Sequence, residues 1–193
     1  MSGKGYDFRS VETGQRLKLD AGLPVVIRFD GKLVTRDHKK YRLTDMEFTK
    51  CIFLAAAKRF KDLKCTIYAQ LDEVNIIISG TEEFFGEYED TDAMYCCCIE
   101  LQRFLRTVKE QYPDTMFGCS VFNIPAGSGA EYVKDRQKML YKTSVVYCAK
   151  DCMSPALYHG KDTKEILAAI EETGNGSLLK NRFFFSGLVR TYN

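Results

Sequence analysis

Short apolar runs alternate with longer amphipathic segments over the first 123 residues of the chain. Runs rich in β-branched and aromatic side chains predict strands near 24–29, 65–70, 74–79 and 116–122. Apolar residues at helical spacing predict helices over about 45–62 and 91–111. The order βαββαβ is typical of a ferredoxin-like domain. The sequence therefore predicts an α+β fold with an antiparallel sheet, in which strands one and three are neighbours.

The second of these helices is predicted to bury one apolar side. That side consists of Met94, Cys97, Cys98, Leu101, Leu105 and Val108. After a turn-rich segment at 123–129, a long helix is expected from Ala130 to about Lys150. Thr163 is predicted to cap a shorter helix, and the apolar, basic stretch 179–185 is predicted to pack back on the domain. Residues 1–123 are thus expected to form the main domain, with 124–193 as a helical extension within one structural unit.

The composition of the chain excludes few classes of protein. The chain has 193 residues and a formal net charge of +2. It contains no apolar run near the ~20 residues that a membrane span needs, and its first residues do not resemble a signal peptide. We therefore expect a cytoplasmic protein without membrane contact. The eight cysteines are interpreted as buried, reduced thiols. A zinc site of Cys148 and Cys152 with Cys119 or His159 is the less favoured alternative.

Two pairs of residues stand at the ends of predicted strands. Asp30-Gly31 closes the first strand, and Asp72-Glu73 lies at the bend between the second and third. Because strands one and three are antiparallel neighbours in the predicted topology, the two acidic sites should converge. Hard divalent cations prefer oxygen ligands held on rigid elements. The sequence therefore predicts a metal site facing a nucleoside triphosphate. Solvated turn acids are the alternative interpretation.

A basic segment follows the first acidic site. Lys32, Arg36, Lys39, Lys40 and Arg42 lie within eleven residues. Beside a metal site, such cations would neutralise triphosphate oxygens. An ordinary solvated loop is the other possibility. The chain contains no Walker A or dinucleotide-binding fingerprint, so any nucleotide would be held by other means.

These motifs together resemble the tRNA-histidine guanylyltransferase family and its relatives, which add nucleotides in the 3′-to-5′ direction on a polymerase-type palm. The similarity begins at Tyr6-Asp7-Phe8-Arg9 and is clearest at Val25–Gly31, which is similar to the family's V-V-R-x-D-G strand. Tyr68–Glu73 resembles its Y-x-x-S-D-E hairpin. Arg136-Gln137 resembles the start of its central helix, and Lys180-Asn181 its C-terminal K-N motif. The order of these motifs holds over nearly the whole chain.

The resemblance implies a role for each matching residue. Asp30 and Asp72, with the backbone carbonyl of Gly31, would coordinate two Mg²⁺ ions, and Glu73 would be the supporting acid. Asp30, Asp72 and Glu73 are thus the candidate catalytic residues of a palm-type domain. The candidate nucleotide-binding residues are Arg28, Lys32, Arg36, Arg42, Asp45, Arg136 and Lys180. Without the resemblance, Arg136 and Lys180 would be interpreted as solvated surface charges.

The implied function is metal-dependent addition of nucleotides, from GTP or ATP, to the 5′ end of tRNA or a related RNA. The family also implies a homo-oligomer, commonly a tetramer. Several family residues are replaced here: a histidine by Thr35, a serine by Leu71, and the helix histidine by Tyr141. Two alternatives therefore stay open. One is another palm nucleotidyltransferase, such as a nucleotide cyclase or cyclic-nucleotide synthase, and the other is a non-catalytic module that binds nucleotide or RNA.

Overall fold

The computed structural model describes residues 17–32, 41, 43–88 and 90–193. Within these residues the elements follow one another as β1 (Val25–Lys32), α1 (Glu47–Phe60), β2 (Cys65–Gln70), β3 (Glu73–Ile78), α2 (Thr81–Phe85), α3 (Ala93–Val108), β4 (Met116–Asn123), α4 (Gly129–Cys152), α5 (Thr163–Glu172), α6 (Arg182–Ser186) and β5 (Leu188–Tyr192). Short 3₁₀ turns occupy Pro155–Leu157 and Gly176–Lys180. The predicted α+β order is confirmed.

The strands form one antiparallel sheet in the order β4-β1-β3-β2-β5. The first four are arranged as in a ferredoxin-like domain, so the predicted adjacency of strands one and three is confirmed. The fifth strand was not predicted. It pairs with the outer edge of β2, with Leu188 opposite Ala69 and Tyr192 opposite Cys65. The C-terminal end of the chain therefore extends the sheet itself.

Alternate residues of β1 face two different layers. Val25, Ile27 and Phe29 are fully buried on the face covered by α1 and α3, where the rings of Phe29 and Phe104 stack at 4.2 Å between centroids. The intervening residues, including Arg28 and Asp30, lie on the other face. That face is partly covered by α4, and it carries the polar side chains considered below.

The predicted buried side of α3 is confirmed in part, since Val108 is buried and Cys97, Leu101 and Leu105 pack against the core. Met94 is 71% exposed and Cys98 is also exposed, whereas Glu100 and Phe104 are buried. Glu100 can occupy the core because Arg59 and Arg103 both donate hydrogen bonds to its carboxylate. Tyr88 donates another. A charged residue on the buried face misleads a count of apolar positions, since burial of a carboxylate depends on partners elsewhere in the chain.

Two further details concern the C-terminal part. Asp162, not Thr163, caps α5: its Oδ1 accepts hydrogen bonds from the backbone N–H groups of Lys164 (2.8 Å) and Glu165 (2.9 Å). The extension packs on the sheet, since the Gln70 side chain of β2 donates to Ser144 Oγ at 2.9 Å. Among the described residues, no helix is long and apolar enough to cross a membrane.

Candidate active site

One end of β1 carries a cation, a carboxylate and a second cation on the same face of the sheet. Arg28, Asp30 and Lys32 are alternate residues of the strand, so their side chains point to one side. Lys32 Nζ lies 2.5 Å from Asp30 Oδ2. Gly118 lies opposite Asp30 on β4, and a Cβ there would be 3.0 Å from Lys32 Cε. The glycine leaves the space that the lysine side chain uses.

Asp72 occupies the two-residue turn between β2 and β3. The preceding residue, Leu71, has a left-handed φ of 55°, which costs about 1 kcal/mol for a residue with a Cβ. Two hydrogen bonds hold this turn: Thr49 Oγ1 donates to the Leu71 carbonyl at 2.7 Å, and the Gly31 N–H donates to the Asp72 carbonyl at 3.0 Å. The hairpin is therefore fixed against the end of β1, and the predicted convergence of the two acidic sites is present in the structure.

The two aspartates differ in their surroundings. Asp72 is only 7% exposed. Burial raises the pKa of its carboxyl to about 7, and the negative charges of Asp30 and Glu73 act in the same direction. A backbone hydrogen bond and the charge of Lys32 lower this pKa in part. The positive charge that the protein supplies therefore offsets the burial of the Asp72 carboxyl only in part. A bound cation would offset the rest, and two carboxylates are suitable ligands for Mg²⁺.

The side chains of Glu73 and Arg136 form an ion pair with each other. Arg136 Nε donates to Glu73 Oε1 at 2.9 Å, and Nη2 donates to Oε2. Both side chains are largely buried, with 13% of the arginine and 5% of the glutamate exposed. Asn75 Nδ2 also donates to Glu73 Oε1, at 2.7 Å. The carboxylate of Glu73 is thus occupied by protein donors, and it anchors α4 to the start of β3.

Arg28 has a different environment. It lies on β1 opposite Asn75 and is half-buried. Among the described residues, its Nε is a buried nitrogen without a hydrogen-bond partner. An unpaired buried donor on a cation is costly, and an anionic oxygen would satisfy it. The nucleotide-binding role of Arg28 stays a prediction.

The remaining predicted residues fall into two groups. Arg36, Arg42 and the 6–9 motif lie outside the described residues. Asp45 and Lys180 are exposed, and the segments that carry them meet, since Asn181 Nδ2 donates to the Thr44 carbonyl at 3.2 Å. Asp45 and Asn181 line a shared cavity of about 370 Å³.

Sequence reasoning missed a polar network on the α4-facing side of the sheet. Tyr132 of α4 donates to Asn75 Oδ1 at 2.8 Å. Gln70 Nε2 donates to Ser144 Oγ at 2.9 Å and to the Phe184 carbonyl at 3.0 Å. The available signal was the presence of Gln70 and Asn75 inside otherwise apolar strands, because polar side chains buried in a sheet need partners.

Within the described part of the chain, no group of three or more His, Cys, Asp or Glu side chains is placed to hold a metal ion. The zinc site considered for Cys148 and Cys152 therefore receives no support there. A metal at the candidate site would have Asp30 and Asp72 as its carboxylate ligands. Backbone and phosphate oxygens would have to complete the coordination, as is usual for Mg²⁺ bound with a nucleotide.

The fold and the site together define a palm-type α+β architecture with two aspartates at the end of neighbouring strands. No protein-family model matches the chain, and no curated protein matches its sequence. The chain is similar in structure to a bacterial tRNA(His) guanylyltransferase (Thg1)-like protein in complex with ATP, with a TM-score of 0.68, 19% identity, and coverage of 95% of this chain and 86% of that one.

Two further solved structures support the same architecture. A bacterial Thg1-like protein in complex with GTP has a TM-score of 0.65, 18% identity, and coverage of 95% and 81%. The tRNA(His) guanylyltransferase of Saccharomyces cerevisiae has a TM-score of 0.63, 15% identity, and coverage of 95% and 92%. The fold of this chain is that of the tRNA(His) guanylyltransferases and Thg1-like proteins, which confirms at the level of the fold the resemblance seen in its motifs.

Proposed function

We propose that this protein is a nucleotidyltransferase that adds nucleotides, from ATP or GTP, to the 5′ end of tRNA or a related RNA. The observation that carries the proposal is the placement of Asp30 and Asp72 beside each other, flanked by Arg28 and Lys32, in a Thg1-like fold. Two of the similar structures are complexes with ATP and GTP, which supports a nucleoside triphosphate as the substrate.

Asp30 and Asp72, with the carbonyl of Gly31, are the residues that would hold Mg²⁺. When bound, Mg²⁺ neutralises phosphate oxygens and favours ionisation of an attacking hydroxyl. The half-buried guanidinium of Arg28 would bind a phosphate oxygen through its unpaired Nε. Lys32 would exchange its contact with Asp30 for a contact with the triphosphate. Glu73 would act indirectly, because its ion pair with Arg136 holds α4 against the start of β3 beside the site.

The proposed reaction joins two substrates. The 3′-hydroxyl oxygen of the incoming nucleotide forms a bond to the α-phosphorus of an RNA that carries a 5′-triphosphate. The bond from that phosphorus to the β-phosphate bridging oxygen breaks, and pyrophosphate leaves. The hydroxyl proton passes to solvent or to a nearby base. Positioning and charge neutralisation supply most of the rate enhancement in such reactions.

The test uses purified protein, Mg²⁺, the four nucleoside triphosphates and a 5′-triphosphorylated tRNA that lacks its first nucleotide. We expect RNA lengthened by one nucleotide at its 5′ end. Asp30→Asn and Asp72→Asn should each lower the rate by about 10³-fold or more. Asp62→Asn, which makes the same change at an exposed position, should have no effect.

Other outcomes separate the alternatives. Release of pyrophosphate without any change in RNA length would indicate a nucleotide cyclase or cyclic-nucleotide synthase. Triphosphate binding without turnover, unchanged in Asp72→Asn, would indicate a non-catalytic module. Either result would contradict the proposed function.

A further inference from the structure

A row of lysines runs along one side of α4. Lys134, Lys138 and Lys142 are four residues apart, so they lie on one side of the helix, and all three are exposed. Lys164, in the first turn of α5, lines the same groove as these three. The groove has a volume of about 900 Å³. From Lys134 to Lys142 the helix rises about 12 Å, which is longer than the spacing of successive phosphates along one strand of nucleic acid.

The floor of this α4–α5 groove is aromatic and aliphatic. Tyr141, Leu167 and Phe185 line it. The rings of Tyr141 and Phe185 lie 5.9 Å apart at an angle of 54°, and Tyr141 is 38% exposed. α6 is held against α4 by a hydrogen bond of 2.9 Å from Gln137 Nε2 to the Ser186 carbonyl. The aromatic floor is therefore fixed in place while one ring remains accessible.

The basic character extends beyond the first groove. A neighbouring cavity of about 420 Å³ shares Tyr141 and Phe185 with it and adds Lys180 and Arg182. Among the described residues, none of the six cations around the two cavities has an ion-pair partner. The six are Lys134, Lys138, Lys142, Lys164, Lys180 and Arg182. Six cations without an ion-pair partner around an aromatic floor favour a polyanion that also has flat rings.

We propose that the α4–α5 groove binds a single-stranded stretch of nucleic acid. Its phosphates would follow the lysines of α4, and a base would stack against Tyr141. Single strands are bound in this manner because cations contact the backbone and aromatic rings contact the bases without selecting a sequence. The groove involves neither Asp30 nor Asp72. Binding there is therefore separable from nucleotide addition, and the inference holds whether or not the proposed function does.

The test is fluorescence anisotropy with a labelled, unstructured oligoribonucleotide at several salt concentrations. The lysine variant carries Lys134→Gln, Lys138→Gln and Lys142→Gln. Its matched control carries Lys50→Gln, Lys58→Gln and Lys61→Gln, which remove the same charge from exposed positions in or beside α1. Losing three phosphate contacts should reduce the slope of log K against log salt concentration by about 2. The control should keep the wild-type slope.

The aromatic contact has its own variant. Tyr141→Ala should weaken binding about tenfold or more while leaving the salt slope unchanged, since a stacking contact releases no counterions. Asp72→Asn should bind as the wild type does, which separates this result from failure of catalysis. Circular dichroism and thermal unfolding verify that each variant is folded. An oligodeoxyribonucleotide of the same sequence distinguishes RNA from DNA as the ligand.

Three results would overturn the proposal. The first is the absence of oligonucleotide binding to the wild type at low salt. The second is an equal loss of affinity in the lysine variant and its α1 control, which would indicate a general effect of net charge. The third is binding of polyglutamate as tight as that of RNA and insensitive to Tyr141→Ala, which would assign the groove to an acidic protein partner.

Discussion

Arg136 of α4 and Glu73 of β3 form a two-point ion pair across 63 residues of sequence, with both side chains largely buried. The pair joins the central helix to the strand that begins beside Asp72. Its geometry matches the fork of a guanidinium to the two oxygens of a carboxylate. Together with Asn75, this pair supplies protein donors to the carboxylate of Glu73 at the hairpin.

Breaking this pair should destabilise the protein strongly. Arg136→Met and Glu73→Gln should each lower the free energy of unfolding by about 3–5 kcal/mol, because each leaves a buried partner without its counterpart. The double variant should lose clearly less than the sum of the two. Urea unfolding of all four proteins measures the cycle. Unchanged stability of Arg136→Met with weakened triphosphate binding would instead give Arg136 a direct role with nucleotide.

The stability of the metal-free protein should fall as pH rises from about 4 to about 7. The unfolded state loses the Asp72 proton near its ordinary pKa of 3.8, whereas the folded state keeps it until about 7. The folded state therefore binds more protons in this window, and its stability declines with pH. Urea unfolding in a chelating buffer should show a loss on the order of a few kcal/mol across the window. Asp72→Asn should reduce this slope, and Asp62→Asn should retain it.

Bound Mg²⁺ should offset the loss of stability that occurs as pH rises. Above about pH 7 the Asp72 carboxyl is charged, and millimolar Mg²⁺ should raise the melting temperature by a few degrees because it binds the folded state alone. Near pH 5 the effect should be smaller, since Asp72 then carries a proton. Thermal unfolding with and without the ion measures both. An equal rise in Asp72→Asn at either pH would place the ion elsewhere.

Arg28→Gln should weaken triphosphate binding with little effect on folding. The buried Nε of Arg28 has no hydrogen-bond partner among the described residues, so its removal breaks no internal contact of that atom. A charge-assisted hydrogen bond to phosphate would be lost, which corresponds to about tenfold or more in the dissociation constant. Calorimetry with a non-hydrolysable triphosphate analogue measures it. Unaltered affinity would exclude Arg28 from the binding site.

Pairing of β5 with the edge of β2 should depend on Gly187. Gly187 has a φ of 75°, and a Cβ there would lie 2.5 Å from Tyr68 Cε2 and 2.8 Å from the Ala69 carbonyl oxygen. Gly160 has the same φ of 75°, and a Cβ at that position would meet nothing within 4 Å. Gly160→Ala should cost about 1 kcal/mol through backbone strain alone. Gly187→Ala should cost clearly more in urea unfolding, and equal losses would show that the sheet edge adapts without penalty.

Local pattern determined much of this protein. β-branched runs and helical spacing were sufficient for the βαββαβ order, because each depends on neighbours a few residues away. The topology then placed Asp30 near Asp72, since antiparallel neighbours bring the end of one strand to the start of the other. The short motifs around these residues gave the resemblance that the similar structures confirm for the fold.

Tertiary structure decided what each charged side chain does. Glu100 lies in the core because Arg59 and Arg103 reach it, Glu73 is held by an arginine on a distant helix, and Asp72 has a raised pKa because the fold buries it. The strand Leu188–Tyr192 exists because β2 offers it an unpaired edge. Sequence periodicity indicates the helices and strands whose formation depends on residues nearby in the chain. The energy of a buried charge or an added edge strand depends on partners far away in the chain. Only the assembled fold therefore determines which charges are buried and which sheet edge gains a strand.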